Sequence, residues 1–343
     1  MRLSRRAMLG VGGCGLLALA GARLAQSQTR GSDEIVEIEI KSAAIDIFAR
    51  DHSEARPAGP LTFRAGLVLT SDYSGFGSLS GLWRSPEGGR IVGISDEGQW
   101  LTASVVTRDG RLSALRDARM APVLGENGVP LRRGPAYDTE SLAIADGVAF
   151  IGIERVHEVR RFAWAESGLA ARGVPIPVPP DTKELPGNRG LEAIGVAPAK
   201  HPLAGAVVAI AEQARLGENA PTRGWILTGP KPGGFDVVRT DSYDITDLTF
   251  LENGEALLLE RRYSVADGPA CRIRRLAFDA IRPGALVEGE VLFEADRRYE
   301  IDNMEGITAH RDPQSGEMIV TIVSDDNFMP NQRTLLLEFA LAS

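Results

Sequence analysis

One two-strand step recurs along this chain, and its clearest copy runs from Asp138 to Arg155. It consists of an acidic lead-in, an apolar strand, a tight turn, a second apolar strand and an acidic exit. The turn is Asp146-Gly147, and Asp-Gly between two apolar runs is a strong signal for a β-hairpin. A hairpin brings the start of its first strand beside the end of its second. We therefore expect Glu140 and Glu154 at the same edge of one sheet.

The step occurs five times. The lead-ins centred on Ser80, Glu140, Glu192, Asp247 and Glu305 lie 60, 52, 55 and 58 residues apart. A period near 55 residues with several strands per unit is typical of a β-propeller. Two further strands follow the hairpin in the second, third and fourth units, so each unit reads as a blade of four antiparallel strands. We predict an all-β propeller of five blades, with six blades, the sixth built partly from residues 33–50, as the alternative.

The last unit is one strand short. After 334–339 no further strand follows, but Thr62–Leu69 stands before the first lead-in, where each outer strand precedes the next unit. We predict that this N-terminal strand completes the last blade and closes the ring. Closure removes exposed sheet edges that would otherwise invite aggregation.

The N-terminus has the features of a targeting segment. Ser4-Arg5-Arg6 begins a twin-arginine pattern, and the apolar stretch Val11–Ala20 is too short to cross a membrane as a helix. We predict a signal peptide at 1–25, an N-terminal extension at 26–60 and a propeller domain at 61–343. A twin-arginine signal indicates export of a folded bacterial protein, so we expect it to be periplasmic or secreted.

The net charge argues against some classes of binding partner. The formal net charge is −8, and removal of residues 1–25 takes away four arginines and no acids, which leaves 34 basic against 46 acidic residues, or −12. This balance argues against nucleic acid and an anionic membrane as partners. We expect a monomer that acts on a small anionic ester. Of the two cysteines, only Cys271 lies outside the leader, and it reads as a core residue.

Acidic residues should surround one mouth of the central channel. The lead-in to the first strand of a blade and the exit from its second lie on one face of the ring. Many carboxylates close together need counter-charge, and Ca²⁺ accepts oxygen ligands in the irregular geometry of loops. We predict metal ligands among Asp96, Asp138, Glu140, Glu154, Glu192, Glu212, Asp247, Glu260, Glu305, Asp325 and Asp326, with Asp244 beside them.

Arginines accompany these acids. Arg155 and Arg261 directly follow Glu154 and Glu260, and guanidinium groups bind phosphate oxygens in pairs. No two of the four histidines have the spacing of zinc ligands, although His157 and His310 fall near the predicted face. The predicted catalytic set is Glu140, Glu192, Glu305, Arg155, Arg189 and Arg261.

Several of these segments together resemble the bacterial phytase-like family, also described as "esterase-like activity of phytase". The resemblance covers roughly residues 60–341. It implies a phosphoester hydrolase built on a metal-dependent propeller. The segments that carry it are Leu79–Leu82, Ser95–Glu97, Asp138–Leu142, Asn188–Ala193, Asn303–Ile307, Ser324–Phe328 and Gln332–Leu336.

The sequence leaves three functions open. The first is a Ca²⁺-dependent hydrolase of ester bonds, in which carboxylates hold the metal and arginines bind the phosphoryl oxygens. The second is a propeller without catalytic activity that binds a cation or a small ligand at its acidic mouth. The third is a lactonase-type propeller with Ca²⁺ at the channel mouth.

Overall fold

The computed structural model describes residues 30–51, 57, 59–185, 189–213 and 220–342. Within these residues the chain is all-β, and its main strands form five antiparallel sheets. The first strand of each sheet contacts the first strands of the sheets before and after it, so the five sheets form a closed ring of blades around a central channel. The prediction of a five-bladed propeller is confirmed.

The strands follow the chain in order. The N-terminal segment carries β1 (Val36–Ile38), β2 (Lys41–Ile45) and β3 (Leu61–Thr70). Blade one is formed by β4 (Leu79–Arg84), β5 (Arg90–Ser95), β6 (Gln99–Arg108) and β7 (Arg111–Pro122). The short strand β8 (Leu124–Gly125) leads to blade two, which is formed by β9 (Thr139–Ala145), β10 (Val148–Ile153), β11 (Glu158–Phe162) and β12 (Arg172–Ile176).

The second half of the ring has the same plan. Blade three is formed by β13 (Leu191–Val196), β14 (Val207–Ala211), β15 (Thr222–Ile226) and β16 (Gly233–Val237). Blade four is formed by β17 (Asp244–Phe250), β18 (Ala256–Ser264), β19 (Gly268–Leu276) and β21 (Glu290–Asp296). The short strand β20 (Leu286–Val287), which precedes β21 in the chain, pairs with β16 at the edge of blade three. Blade five is formed by β22 (Asn303–Arg311), β23 (Met318–Asp325), β24 (Thr334–Leu341) and β3. The described helical segments are α1 (Trp164–Ser167) and the 3₁₀ turns Leu131–Arg133, Gly168–Ala170 and Pro180–Glu184.

The ring closes as predicted. β3 pairs antiparallel with β24, in a register that runs from Leu69 opposite Thr334 to Leu61 opposite Leu341. The first and last parts of the chain therefore share one blade, and the backbone hydrogen-bonding groups of β24 that would form an open edge are paired.

The N-terminal segment adds two outer strands and no sixth blade within the described residues. β1 pairs with β7 of blade one and β2 pairs with β3 of blade five. The segment therefore crosses the boundary between these two blades. The predicted leader at 1–25 lies outside the described residues.

Apolar side chains fill the spaces between neighbouring blades. Phe48, from the loop after β2, stacks on Phe63 and Tyr299 at centroid distances of 5.0 and 5.1 Å. Cys271 is fully buried in the same cluster, as its interpretation as a core residue predicted. The core thus ties the N-terminal segment to blades four and five, and it holds the inner strands at fixed positions around the channel.

Candidate functional site: an acidic channel mouth

Every inner strand carries a register shift near its start, at the same place in each blade. The residue skipped by the pairing is the β-bulge, and the five bulge positions are Ser80, Glu140, Glu192, Thr246 and Glu305. A bulged residue is left out of the ladder, and its side chain is turned away from the regular alternation. In three of the five blades the bulged residue is a glutamate.

A second ring of side chains lies at the end of each second strand. We call the residue at this place the exit position. It lies opposite the residue two places before the bulge, and it either pairs with that residue in the ladder or donates its N–H to that residue's carbonyl oxygen. The five exit positions are Asp96, Glu154, Glu212, Arg261 and Asp325. Four blades thus contribute a carboxylate here and blade four contributes a guanidinium group.

These two rings bring carboxylates from blades two and three together. Asp138, Glu140 and Glu154 each place one oxygen within 4.8 Å of the others, and we call them the first carboxylate group. Glu154, Glu192 and Glu212 do the same and form the second carboxylate group. Glu154 belongs to both, so the two groups make one continuous arc across the boundary between the two blades.

Burial keeps these carboxylates from ionising freely. It raises the pKa of Glu154 to about 7, with the Asp138 charge acting in the same direction. It also raises the pKa values of Glu140 and Glu192 well above their ordinary range, and the charges of Glu192 and Glu212 respectively add to the effect. Removing protons from this arc therefore requires a compensating positive charge.

Arg261 supplies one such charge. Its guanidinium lies 3.1 Å from an oxygen of Glu212 and 3.1 Å from an oxygen of Glu305, so it bridges blades three and five. Asn303 accepts a hydrogen bond from Arg261 at 2.7 Å and donates one to Glu305 at 2.8 Å. Burial nevertheless raises the pKa of Glu305 to about 8, because desolvation outweighs the attraction of the guanidinium.

The other two predicted arginines are more exposed to solvent than Arg261. Arg155 is half exposed, and its Nε donates a 2.6 Å hydrogen bond to Asp138 while its guanidinium stacks on the ring of Tyr137. Arg189 is exposed and donates to the amide oxygen of Gln213. All three arginines are thus held around the carboxylate arc.

Three predicted ligands are engaged elsewhere. Asp247 stands one residue after the bulge of blade four, and its two oxygens accept the N–H groups of Leu248 and Ile307, both at 2.8 Å. The sequence placed Asp247 at the lead-in position of blade four, but the structure places Thr246 there. The Thr246 hydroxyl donates a hydrogen bond to Met304 O of the next blade.

Glu260 and Asp326 are each displaced by one residue from the exit positions. Glu260 is buried and binds Arg272 and Arg274 of the neighbouring strand β19 at 2.7 and 2.5 Å. Asp326 accepts hydrogen bonds from Ser78 N at 2.9 Å and Thr334 Oγ1 at 3.0 Å, which ties the loop after β23 to the loop before β4. Asp244, which was predicted to lie beside the metal ligands, pairs with Arg239 at 2.6 Å and lies outside both carboxylate groups.

Other residues near the mouth were not among the predicted site residues. Asn303 is one, and Ser78, fully buried with φ of 50° just before β4, is another. His310, which was expected near this face, lies at the far end of β22, where the inner strands of all five blades line the opposite part of the channel. An inner strand runs through the whole channel, so a residue at its end cannot share a site with one at its start.

The carboxylate arc suits a hard divalent cation. Three convergent carboxylate oxygens in each group are the ligand type that Ca²⁺ prefers, and a cation would remove the electrostatic conflict that raises their pKa values. The buried carboxylate clusters of this mouth can therefore hold a metal ion.

Residues 74–328 match the family described as "Phytase-like: Esterase-like activity of phytase". The match spans most of the propeller, including both rings of the channel mouth. The chain belongs to the phytase-like family.

Beyond the family, the chain has only distant similarities. No curated protein matches the chain. The PQQ-bound form of aldose sugar dehydrogenase from Streptomyces coelicolor is similar over 83% of this chain and 99% of its own, at 12% identity and a TM-score of 0.39. A chain of a nidogen/laminin complex is similar over 77% of this chain and 86% of its own, at 9% identity and a TM-score of 0.40. These TM-scores are too low to inform the activity. In the described part of the chain, no helix is long and apolar enough to span a bilayer.

Proposed function

We propose that this protein is a Ca²⁺-dependent phosphoester hydrolase that acts at the acidic mouth of the channel. The observation that carries the proposal is the pair of carboxylate groups sharing Glu154, with Arg261 beside them. The family description supports ester hydrolysis as the reaction. The twin-arginine pattern of the leader supports export, so we place the activity outside the cytoplasm.

The carboxylates would hold the metal. Asp138, Glu140 and Glu154 form one set of oxygen ligands, and Glu192 and Glu212 complete the second with Glu154. When bound there, divalent cations supply Lewis-acid polarisation of a phosphoryl oxygen and lower the pKa of a ligand water.

The remaining residues have roles of their own. Arg261 is about one-third exposed, so its guanidinium can offer N–H groups to the oxygens of a phosphoryl ester at the mouth. Glu305, in contact with Arg261, has a pKa of about 8, close to the range in which a carboxyl group can both accept and donate a proton. We assign Glu305 the proton transfer and Arg261 the stabilisation of charge on the phosphoryl oxygens.

A second candidate is a binding propeller without catalysis. The pairing of Arg155 with Asp138, and of Arg261 with Glu212 and Glu305, favours it because guanidinium groups already bound to carboxylates are less available to a substrate. On this reading the mouth binds a cation or a small cationic ligand.

One experiment separates the two functions. The purified protein is assayed on model phosphomonoesters, phosphodiesters and carboxyl esters, with Ca²⁺ and with a chelator. We expect turnover of a phosphoester that depends on Ca²⁺ and that Glu154→Gln abolishes. Glu288→Gln, which changes an exposed acid of the blade four surface, is the matched control and should keep full activity. Calcium binding without turnover of any ester would reject the hydrolase and favour the binding propeller.

A further inference from the structure

A separate pair of carboxylates faces the boundary at which the ring closes. Asp96 of blade one and Asp325 of blade five occupy neighbouring exit positions. The ring's arginines pair with Asp138, Glu212 and Glu305, and they leave Asp96 and Asp325 without an ion pair to any described residue. Neither acid belongs to the first or second carboxylate group.

A buried hydroxyl points between the two acids. Ser78 is fully buried, and its backbone bonds both exits, since its carbonyl accepts the N–H of Asp96 and its own N–H donates to Asp326, the neighbour of Asp325. Its Oγ nevertheless meets no hydrogen-bond geometry with any described group, and Asp96 Oδ1 is likewise buried without a partner. Two buried oxygens left without partners carry a substantial desolvation cost unless something binds them.

The surrounding backbone is held in place. Asp96 N donates to Ser78 O at 3.1 Å, and Asp325 Oδ1 accepts the N–H of Asn327 at 2.6 Å. The site is therefore built by three loops: the one leading from β3 into blade one, the exit of β5, and the exit of β23. It lies where the N-terminal and C-terminal parts of the chain meet.

From this arrangement we infer that Ser78, Asp96 and Asp325 form a cation site, the seam site, which binds a divalent ion such as Ca²⁺ and stabilises closure of the ring. Two carboxylates match the charge of a divalent ion, and carboxylate and hydroxyl oxygens are the hard ligands it prefers. An ion there would link blade one to blade five directly. The inference is independent of ester hydrolysis, because it concerns stability and uses residues outside both carboxylate groups.

The test uses the full-length protein and calcium alone as the probe. Glu154→Gln is the background, because it disables the ligand shared by both carboxylate groups. After treatment with chelator, this variant is titrated with CaCl₂ by calorimetry and its thermal unfolding is followed with and without the ion. We expect one remaining calcium site whose filling raises the unfolding temperature.

Two further changes in that background locate the site. Asp96→Asn should abolish the remaining binding and the calcium-induced rise in unfolding temperature. Ser78→Ala, a smaller change that keeps the test valid if Asp96→Asn misfolds, should weaken calcium binding about tenfold, the lower end of the effect of losing an auxiliary group at a metal site. Thr222→Val removes another buried hydroxyl without a partner, on β15, and should leave binding unchanged. No calcium binding in Glu154→Gln, or binding unaffected by both Asp96→Asn and Ser78→Ala, would overturn the inference.

Discussion

Arg261 Nη1 lies 3.1 Å from Glu305 Oε1, although the two residues belong to different blades. Among the five exit positions, all of which the structure describes, only that of blade four carries a cation. The other four blades have a carboxylate there. Arg261 therefore separates the carboxylate arc of blades two and three from the acids of blade five. This single exchange of sign places one guanidinium group among the carboxylates of the mouth, paired with Glu212 on one side and Glu305 on the other.

The first prediction concerns Arg261 itself. Arg261→Met leaves Glu212 and Glu305 without their basic partner, and we expect the free energy of unfolding at pH 8 in chelator to fall by about 1–3 kcal/mol, less than for a fully buried pair because the side chain is partly exposed. Arg261→Lys should recover part of the loss. Arg155→Met breaks a more exposed pair and should cost less than about 1 kcal/mol. Equal losses for Arg155→Met and Arg261→Met in denaturant titrations would contradict the central role of Arg261.

The second prediction concerns pH. The pKa values of Glu154 and Glu305 rise from an ordinary 4.5 to about 7 and about 8 in the folded protein. A group whose pKa is raised by folding stabilises the fold at low pH, and this contribution is lost as the pH rises through the folded pKa. Without metal, stability should therefore decrease between pH 5 and 8.5 by on the order of 7 kcal/mol.

Calcium should reverse this trend, because it binds the ionised carboxylates of the native state only. Thermal unfolding at pH 5.5 and 8.5, in chelator and in CaCl₂, measures the effect, and the rise caused by calcium should be larger at pH 8.5. The double variant Glu154→Gln/Glu305→Gln should show a flatter profile in chelator. A metal-free protein that becomes more stable from pH 5.5 to 8.5 would be inconsistent with this account.

The third prediction separates a structural acid from a ligand. Asp247→Ala leaves the buried N–H groups of Leu248 and Ile307 without an acceptor, and we expect a loss of about 3 kcal/mol in the free energy of unfolding. The number of calcium ions bound by the folded variant should not change. Asp279→Ala, in an exposed turn, is the control and should be nearly neutral. If the Asp247→Ala variant bound one calcium ion fewer, Asp247 would be a metal ligand and not a structural acid.

The fourth prediction concerns the N-terminal segment. Phe48 is buried against Phe63, Tyr299 and Phe339, so Phe48→Ala should lower the free energy of unfolding by about 3–5 kcal/mol. The neighbouring Ile47 is 44% exposed, and Ile47→Ala should have little effect. Chemical denaturation compares the two variants. Similar small losses in both variants would mean that residues 41–49 contribute little to the stability of the propeller.

The repeated hairpins determined most of the fold. Asp146 and Gly147 both have positive φ, as the turn of a tight hairpin requires, and the apolar runs beside them form β9 and β10. The pairing of β3 with β24 followed from counting strands per unit. Such features are local or additive along the chain, so the sequence alone was sufficient to predict them.

The side chains that face the channel were decided by tertiary structure. Side chains alternate along a strand, so an offset of one residue turns a side chain to the other face. Along β18, Arg261 therefore faces the mouth while Glu260, adjacent in sequence, is buried against Arg272 and Arg274. A bulge depends on pairing between strands and leaves no reliable mark in a single sequence, which is why Asp247 took the place of Thr246 in the predicted ring. The residue at which a second strand leaves its ladder is likewise set by pairing, so the sequence predicted Glu260 and Asp326 as ligands beside the true exit positions.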